Sequence, residues 1–244
     1  MSPYLRLSDA DFICGGLFRL GATGTNPNIP VMTCYCGQRV QDSDIDHAMT
    51  CQKLSGSRSR RHDDWKDALS RVTARAGYSN CVEPGYNEVG TAATGRAGSR
   101  ADIEARLPPP HSITLLDVSL THPRAATYVT DAAAMQGSAA AKRDALKYRG
   151  HNGHYHPGYT LIPASVETYS YLGKPLIRYL NTLSELAAAR GPAVTKVSFL
   201  AGAHRELIVG LIKRQGSVHR GWTNLLARAA GRQVSPGAEV PCED

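Results

Sequence analysis

The clearest pattern of apolar and polar positions in the chain is the alternation from Arg100 to Leu120. It predicts two short strands joined by a proline-rich turn, because alternate residues of a strand point to opposite faces of a sheet. In the second strand Ile113 and Leu115 share one face with Asp117, while Leu116, Val118 and Leu120 point to the opposite face. A strand that is largely apolar on both faces is typical of the centre of a sheet, so we expect it to be buried.

Each of these two strands carries one aspartate, Asp102 in the first and Asp117 in the second. A carboxylate in the interior of a protein is costly unless it is paired or binds a metal ion. Two aspartates on neighbouring strands therefore predict a metal site, and their oxygen atoms suit one or two Mg²⁺ ions.

Apolar residues at helical and strand spacing predict the elements on either side of these two strands. Helices are expected at 8–20, 63–76, 128–148, 174–189 and 196–214, and a further helix could follow at 220–230. A short strand ending at Glu83 precedes the central pair, and another at 160–168 follows the long helix. Pro163 in that last strand predicts a sheet edge or a bulge, because proline cannot donate to a neighbouring strand.

This order of elements is a three-stranded meander followed by a crossover helix and a returning strand, which predicts an α/β fold. We expect a mixed sheet of about four strands flanked by helices, with acidic side chains brought together at one sheet edge. The acidic candidates are Glu83, Asp102, Asp117 and Glu167, and the cationic candidates on the crossover helix are Lys142 and Lys147. Carboxylates that hold a metal ion, and a lysine that orients or deprotonates a water molecule, are the parts that phosphodiester hydrolysis requires.

A second cluster of reactive side chains lies between residues 34 and 51. Cys34 and Cys36 stand on a predicted tight turn with Gly37, and His47 and Cys51 follow one helical turn apart, so four soft ligands could surround one zinc ion. The alternative is three unconnected buried cysteines and a surface histidine. We favour zinc over disulfides, because the cysteines are clustered and no secretory leader is visible.

The chain of 244 residues has a net charge of +7, which suggests a polyanionic partner such as nucleic acid. A basic run expected to be flexible could reach phosphates through Arg58, Arg60, Arg61 and His62, although such a run is often only a solvated segment. A further group of histidines, His151, His154 and His156, favours a solvated loop over a metal site because its setting is rich in glycine. No stretch of sequence reaches the length of a membrane span.

The aspartate-bearing strands resemble the core of the restriction-endonuclease-like, or PD-(D/E)XK, family. The family pattern is Pro-Asp followed by Asp/Glu-x-Lys on the next strand; here Ala101 precedes Asp102, and Ser119 stands where the lysine is expected. Known variants carry that lysine on the following helix. The resemblance therefore implies that Lys147, or failing that Lys142, supplies the missing cation.

The order of the short motifs narrows this resemblance. C-x-C-G, H-x-x-x-C, R-H-D, E-P, R-x-D-I, D-V-S-L-x-H-P, K-Y and V-E-T-Y occur in this order. The set resembles the endonuclease region of site-specific non-LTR retrotransposons, in which a Cys/His zinc knuckle precedes the nuclease. The implied roles are Mg²⁺ or Mn²⁺ on Asp102 and Asp117, support from Glu83 and Glu167, and zinc on Cys34, Cys36, His47 and Cys51. The implied DNA contacts are Arg58, Arg60, Arg61, His62 and Arg100.

The expected activity is nicking of one strand of target DNA, with the element's RNA or a reverse transcriptase as further partners and a nuclear location inferred from the DNA partner. Two alternatives stay open: a catalytically decayed zinc-knuckle module that only binds DNA, and a protein of the same fold whose aspartates merely accept hydrogen bonds. The expected segments are a helical lead-in and linker at 1–31, a zinc knuckle at 32–57, a nuclease core at 58–190, C-terminal helices at 191–231 and a disordered tail at 232–244.

Overall fold

The computed structural model describes residues 7–20, 31–41, 44–51, 53, 55–84, 101–109, 111, 113–151, 155 and 158–229. The described chain forms two compact units. The first contains Ser59–Leu211, and the second combines Leu7–Arg58 with the chain from Ile212 onward. None of the helices in these described parts is long and apolar enough to cross a membrane.

A four-stranded mixed sheet forms the centre of the first unit. Its strands, in spatial as well as chain order, are β3 (Ser79–Val82), β4 (Ile103–Arg106), β5 (Ile113–Thr121) and β6 (Tyr159–Glu167). Neighbouring strands among the first three are antiparallel, and β6 runs parallel to β5. The predicted meander and returning strand are therefore confirmed, and Pro163 lies opposite Asp117 in the outermost described strand, as its missing N–H requires.

The sheet has one apolar face and a second face, which we call the polar face, where buried polar residues adjoin a small apolar cluster around Leu115. On the apolar face, Leu116 and Val118 of β5 pack against three helices: α3 (Ser55–Arg75), α6 (Lys174–Ala189) and α7 (Lys196–Ala229). The core side chains of these helices include Trp65, Leu69, Val72, Leu176, Leu180, Leu183, Phe199 and Leu207. Complete burial of one such side chain contributes about 1.5–3 kcal/mol, so this face holds the unit together.

The crossover between β5 and β6 consists of two helices, α4 (Val129–Ala134) and α5 (Ser138–His151), where the sequence predicted one. The helix breaks before Ser138 because Gly137 has a φ of +81°, which an α-helix cannot accommodate. A side chain at Gly137 would also strike the ring of Tyr171, whose Cε1 atom would lie 2.2 Å from the new Cβ. The helix α5 then covers the polar face of the sheet, on which Asp117, Ser119, Ser165 and Glu167 are all buried.

Two further predictions about helices are wrong. The basic run before residue 63 is not flexible, because α3 begins at Ser55 and contains it. The helix predicted at 196–214 does not end there: one helix, α7, spans Lys196–Ala229, and its apolar residues continue at helical spacing from Leu207 through Leu211 to Trp222 and Leu226. Glycines inside this helix cost about 1 kcal/mol each, which continuous packing of an apolar stripe outweighs.

The second unit contains two small helices and a hairpin in its N-terminal part. The helix α1 (Asp9–Arg19) begins as predicted at Ser8, whose hydroxyl accepts the Asp11 backbone N–H at 3.1 Å. The strands β1 (Met32–Thr33) and β2 (Arg39–Val40) form the hairpin, and α2 (Ile45–Thr50) follows. The C-terminal part of α7 belongs to this unit, and its Arg220 donates to the Asp11 carboxylate at 2.7 Å.

Candidate functional site

The turn between β1 and β2 carries the first two cysteines. The Cys34 N–H donates to the Gln38 carbonyl and the Gly37 N–H donates to the Cys34 carbonyl, both at 2.8 Å. Gly37 has a φ of +88°, so a glycine closes this turn without the strain that a side chain would bring. Both sulfur atoms are thereby held on one short loop, as the C-x-C-G spacing predicted.

His47 and Cys51 come from the next element and complete a four-ligand group. His47 lies on α2, and the Cys51 N–H donates to the His47 carbonyl at 2.7 Å where that helix ends. The Sγ atoms of Cys34 and Cys51 are 3.8 Å apart, and Cys36 Sγ lies 3.5 Å from His47 Nε2. All four ligand atoms lie within 4.8 Å of one another, and in the described chain this is the one place where three or more such ligands converge.

These distances match a tetrahedral zinc site. Zinc with bonds of about 2.3 Å to sulfur and about 2.0 Å to nitrogen separates two sulfurs by about 3.8 Å, and a sulfur from a nitrogen by about 3.5 Å. A disulfide would require sulfurs about 2.05 Å apart, and both Cys34 and Cys51 are free thiols. The group formed by Cys34, Cys36, His47 and Cys51 could therefore bind a metal such as zinc.

The surroundings of the cluster shift the pKa values of the Cys34 and Cys36 thiols in opposite directions. Burial raises the pKa of the Cys34 thiol to about 11. The backbone N–H of Gln38 lowers the pKa of the exposed Cys36 thiol, because it donates to the thiolate. The ring of His47 is supported by Trp222, with centroids 5.7 Å apart. Because zinc binds thiolates, its binding here would release a proton from Cys34 at neutral pH.

The polar face of the sheet contains the second constellation, centred on Asp117. This residue is 3% exposed, and its Oδ1 accepts a hydrogen bond from Lys147 Nζ of α5. The contact exists because α5 runs back across β5 on the way to β6, which brings its last turns over the middle of the strand. Lys147 is thus the lysine that reaches Asp117 from the helix.

Asp102 immediately precedes β4, outside the strand in which it was predicted, and it is half-buried where the sequence predicted burial. Its Oδ2 accepts the Val118 backbone N–H at 2.6 Å, so the carboxylate sits against the peptide that follows Asp117. The Asp102 N–H donates to the Leu116 carbonyl at 2.9 Å, which fixes its position next to β5. His62 of α3 forms an ion pair with Asp102, with Nε2 and Oδ2 3.4 Å apart, and this contact raises the pKa of His62.

Glu83 and Glu167, the two predicted supporting carboxylates, have partners of their own. Glu83 has a φ of 53° just after β3 and forms an ion pair with Lys66 of α3. Glu167 Oε1 accepts the backbone N–H of Ala140 at 3.0 Å. Ala140 lies in the first turn of α5, so Glu167 caps the helix that carries Lys147.

The remaining predicted cations have other positions. Lys142 forms an ion pair with Asp131 of α4, so its amine contacts a different carboxylate from the Lys147 amine. Arg61 is 5% exposed, which corrects the expectation that it reaches phosphates at the surface, whereas Arg60 is exposed. The side chains of Arg58 and His151 lie outside the described residues, and so do Arg100, His154 and His156.

The sequence did not reveal two cations that contact candidate or neighbouring site residues. Lys66 bridges Asp63, at 3.3 Å, and Glu83. Arg143 Nε donates to Ser119 Oγ at 3.3 Å and so places a guanidinium at the position where the family pattern has a lysine. A signal for Arg143 exists in retrospect, because it precedes Lys147 by four residues and shares its helix face.

No protein-family model and no curated protein gives a match to this chain.

Proposed function

We propose that this chain is a metal-dependent DNA endonuclease with a restriction-endonuclease-like, PD-(D/E)XK core, similar to the target-site nuclease of non-LTR retrotransposons. The observation that carries the proposal is the contact of Lys147 with Asp117. The strand position that should hold the catalytic lysine is occupied by Ser119. A lysine from the following helix meets the buried aspartate instead, as in variants of the family that relocate it.

The order of the elements supports the same proposal. A helix, three antiparallel strands, a helical crossover and a fourth strand parallel to the third follow one another in the first unit. Asp117 lies on β5, Asp102 immediately precedes the neighbouring strand β4, and Asp102 is held against the Asp117–Val118 peptide. The proximity of the two acidic residues supports the proposal.

The two aspartates would hold Mg²⁺ or Mn²⁺. Mg²⁺ is commonly bound by one or two carboxylates, with water molecules and substrate phosphate oxygens as its other ligands, so two aspartates suffice as a donor set. When bound, the ion would supply Lewis-acid stabilisation of the scissile phosphate. Lys147 would orient the attacking water and offset the negative charge that develops on phosphorus, while Glu167 would hold α5 so that the amine stays in place.

The cysteine cluster would act as a zinc knuckle that helps to bind DNA. Its four ligands are complete, and the net charge of +7 gives the chain an attraction for a polyanion. Exposed Arg60 remains a candidate DNA contact, with the element's RNA or a reverse transcriptase as further partners and a nuclear location as the setting.

A catalytically decayed DNA-binding module is the second candidate. The direct ion pair favours this second candidate, because Lys147 neutralises the charge of Asp117 without a metal ion. In that case the chain would bind DNA through its basic surface and the knuckle, and it would not cut.

Nicking of supercoiled plasmid in Mg²⁺ separates the two candidates. We expect the wild-type chain to produce open circles, and Asp117→Asn, which keeps the size of the side chain, to slow nicking by about a hundredfold or more. Equal rates would remove Asp117 from the mechanism. DNA binding without nicking by the wild-type chain would favour the decayed module.

A further inference from the structure

A cavity of about 590 Å³ opens beyond the carboxyl ends of the two parallel strands. Arg124 follows β5, Glu167 ends β6, and Tyr169 and Tyr171 come directly after it. Alanines of α4 form an apolar wall. The volume lies in the range of about 300–1,000 Å³ that small-ligand sites occupy, and the carboxyl ends of parallel strands are where α/β proteins bind ligands.

The two tyrosine rings of the cavity are fixed by their neighbours. Tyr171 lies directly on the backbone of Gly137, whose missing side chain makes room for the ring. Tyr169 is tilted by 43° against the ring of His122 at 5.8 Å, and His122 Nδ1 is 2.7 Å from the Thr168 hydroxyl oxygen. Rings that are already held in place lose little conformational freedom when a ligand binds to them.

The turn between the tyrosines is itself constrained. Ser170 has a φ of 74°, and its N–H donates to the Glu167 carbonyl at 2.7 Å. The Glu167 N–H donates to the Tyr171 carbonyl at 2.8 Å and closes the turn. A non-glycine residue in this region costs about 1–3 kcal/mol, and the surrounding contacts hold it there.

The chemistry of the lining fits a nucleobase. Aromatic faces stack on the planar ring of any base, the alanine wall is apolar, and the amide of Gln136 can meet polar atoms at a base edge. Arg124 is exposed at the cavity and offers a guanidinium to a phosphate. We propose that this cavity binds the base of an unpaired nucleotide of a DNA strand, stacked on Tyr169, with Arg124 at the adjacent phosphate.

This inference rests on the proposed function and names the form of DNA that the nuclease would take. Asp117 lies four residues before the end of β5, about 13 Å along the strand at 3.3 Å per residue. The cavity and the candidate metal site therefore lie within reach of one DNA strand. Unstacking of a base near the cut would favour mismatched, single-stranded or distorted DNA as substrate.

Binding of a short fluorescein-labelled oligothymidylate, measured by anisotropy in buffer without divalent cations, tests the inference. Tyr169→Ala should weaken binding by between about fivefold and a hundredfold, whereas Tyr169→Phe keeps the ring and should bind like the wild type. The logarithm of the binding constant falls linearly with the logarithm of the salt concentration, and Arg124→Gln should make this slope shallower by the amount that one phosphate contact contributes. An oligonucleotide with abasic positions should bind the wild type about as weakly as the intact one binds Tyr169→Ala. Equal affinity of the wild type and Tyr169→Ala, or no binding of oligothymidylate at all, would overturn the inference.

Thymidine monophosphate as a competitor identifies the source of the base. If thymidine monophosphate displaces the oligothymidylate with a similar affinity, a free nucleotide fills the cavity and the proposal of a DNA strand is overturned. If it competes only weakly, the base must belong to a strand. A failure of nicking with intact Tyr169-dependent binding would reject only the nuclease, and nicking with binding that ignores Tyr169 would reject only the cavity.

Discussion

Asp117 could not stay charged in the middle of β5 without a counter-charge, because it is 3% exposed. Lys147 supplies the positive charge, and Asp102 obtains the same compensation from the Val118 N–H and from His62. Removal of one partner from such a buried pair leaves the other charge uncompensated. Both aspartates therefore have partners that offset their charge within the protein.

Another buried carboxylate, Asp144 of α5, should make the stability of the fold depend on pH. Burial raises its pKa from 3.8 to about 6, against the opposing effects of Ser165 and Arg178. Between about pH 4 and pH 6 the folded chain therefore binds one more proton than the unfolded chain, so the free energy of unfolding falls as the pH rises through this window and then levels off. In Asp144→Asn this fall should be smaller by on the order of 1–2 kcal/mol, as measured by urea unfolding across the pH range. A variant with the same pH profile as the wild type would contradict this role of Asp144.

The position of the helix α5 decides where Lys147 lies. The helix is capped by Glu167 at its first turn, and Gly137 ends the preceding connection with a positive φ. Glu167 ends β6 and Gly137 lies between α4 and α5, and both act on the start of α5. Changes at the start of the helix should therefore act on an amine three turns away.

Gly137→Ala tests how strongly Gly137 constrains the start of α5. It should lower the free energy of unfolding by about 1–3 kcal/mol, because alanine is strained at that φ and its Cβ would overlap the Tyr171 ring. Gly150→Ala is the matched control near the other end of α5, where no atom lies within 4 Å of the added Cβ, and it should be neutral or slightly stabilising. Urea unfolding measures both. Equal stability of the two variants would show that the break before α5 is not constrained by Gly137.

Part of this element arrangement could be predicted from the sequence. The alternation around Asp117 predicts a buried central strand, and Pro163 predicts an edge, because both follow from local patterns. The break at Gly137 could not be predicted, since a helix often tolerates a single glycine and only the Tyr171 ring, 34 residues later, makes it necessary here. The burial of Arg61 and the pairing of Lys66 with Glu83 likewise depend on contacts between distant segments.

At the scale of the whole molecule, the two candidate sites belong to different compact units. The cysteine cluster is built within the second unit and the aspartate–lysine group within the first. The spacing of Cys34, Cys36, His47 and Cys51 predicted their convergence, because a tight turn and one helical turn fix each pair locally. The convergence of Lys147 on Asp117 depends on the tertiary crossover, so the sequence alone left Lys142 as an alternative.

Metal analysis of the purified chain tests the cluster. The wild type should retain about one zinc ion per chain, and Cys36→Ser should retain less because a hydroxyl is a poor zinc ligand. Cys81→Ser is the matched control, since Cys81 is an exposed free thiol on β3, and its zinc content should equal that of the wild type. Unchanged zinc in Cys36→Ser would exclude the proposed ligand set.

We propose that Lys147 replaces the lysine missing at Ser119, and two lysines of the same helix allow this role to be tested directly. Lys147→Met and Lys142→Met remove the same group, but only Lys147 contacts Asp117, while Lys142 pairs with Asp131. The measurement is the rate of plasmid nicking in Mg²⁺, at equal concentrations of protein shown by near-UV circular dichroism to be folded. We expect the nicking rate to fall about a hundredfold or more in Lys147→Met and to stay within about twofold of the wild type in Lys142→Met. Nicking by Lys147→Met at the wild-type rate would contradict the proposed role of Lys147.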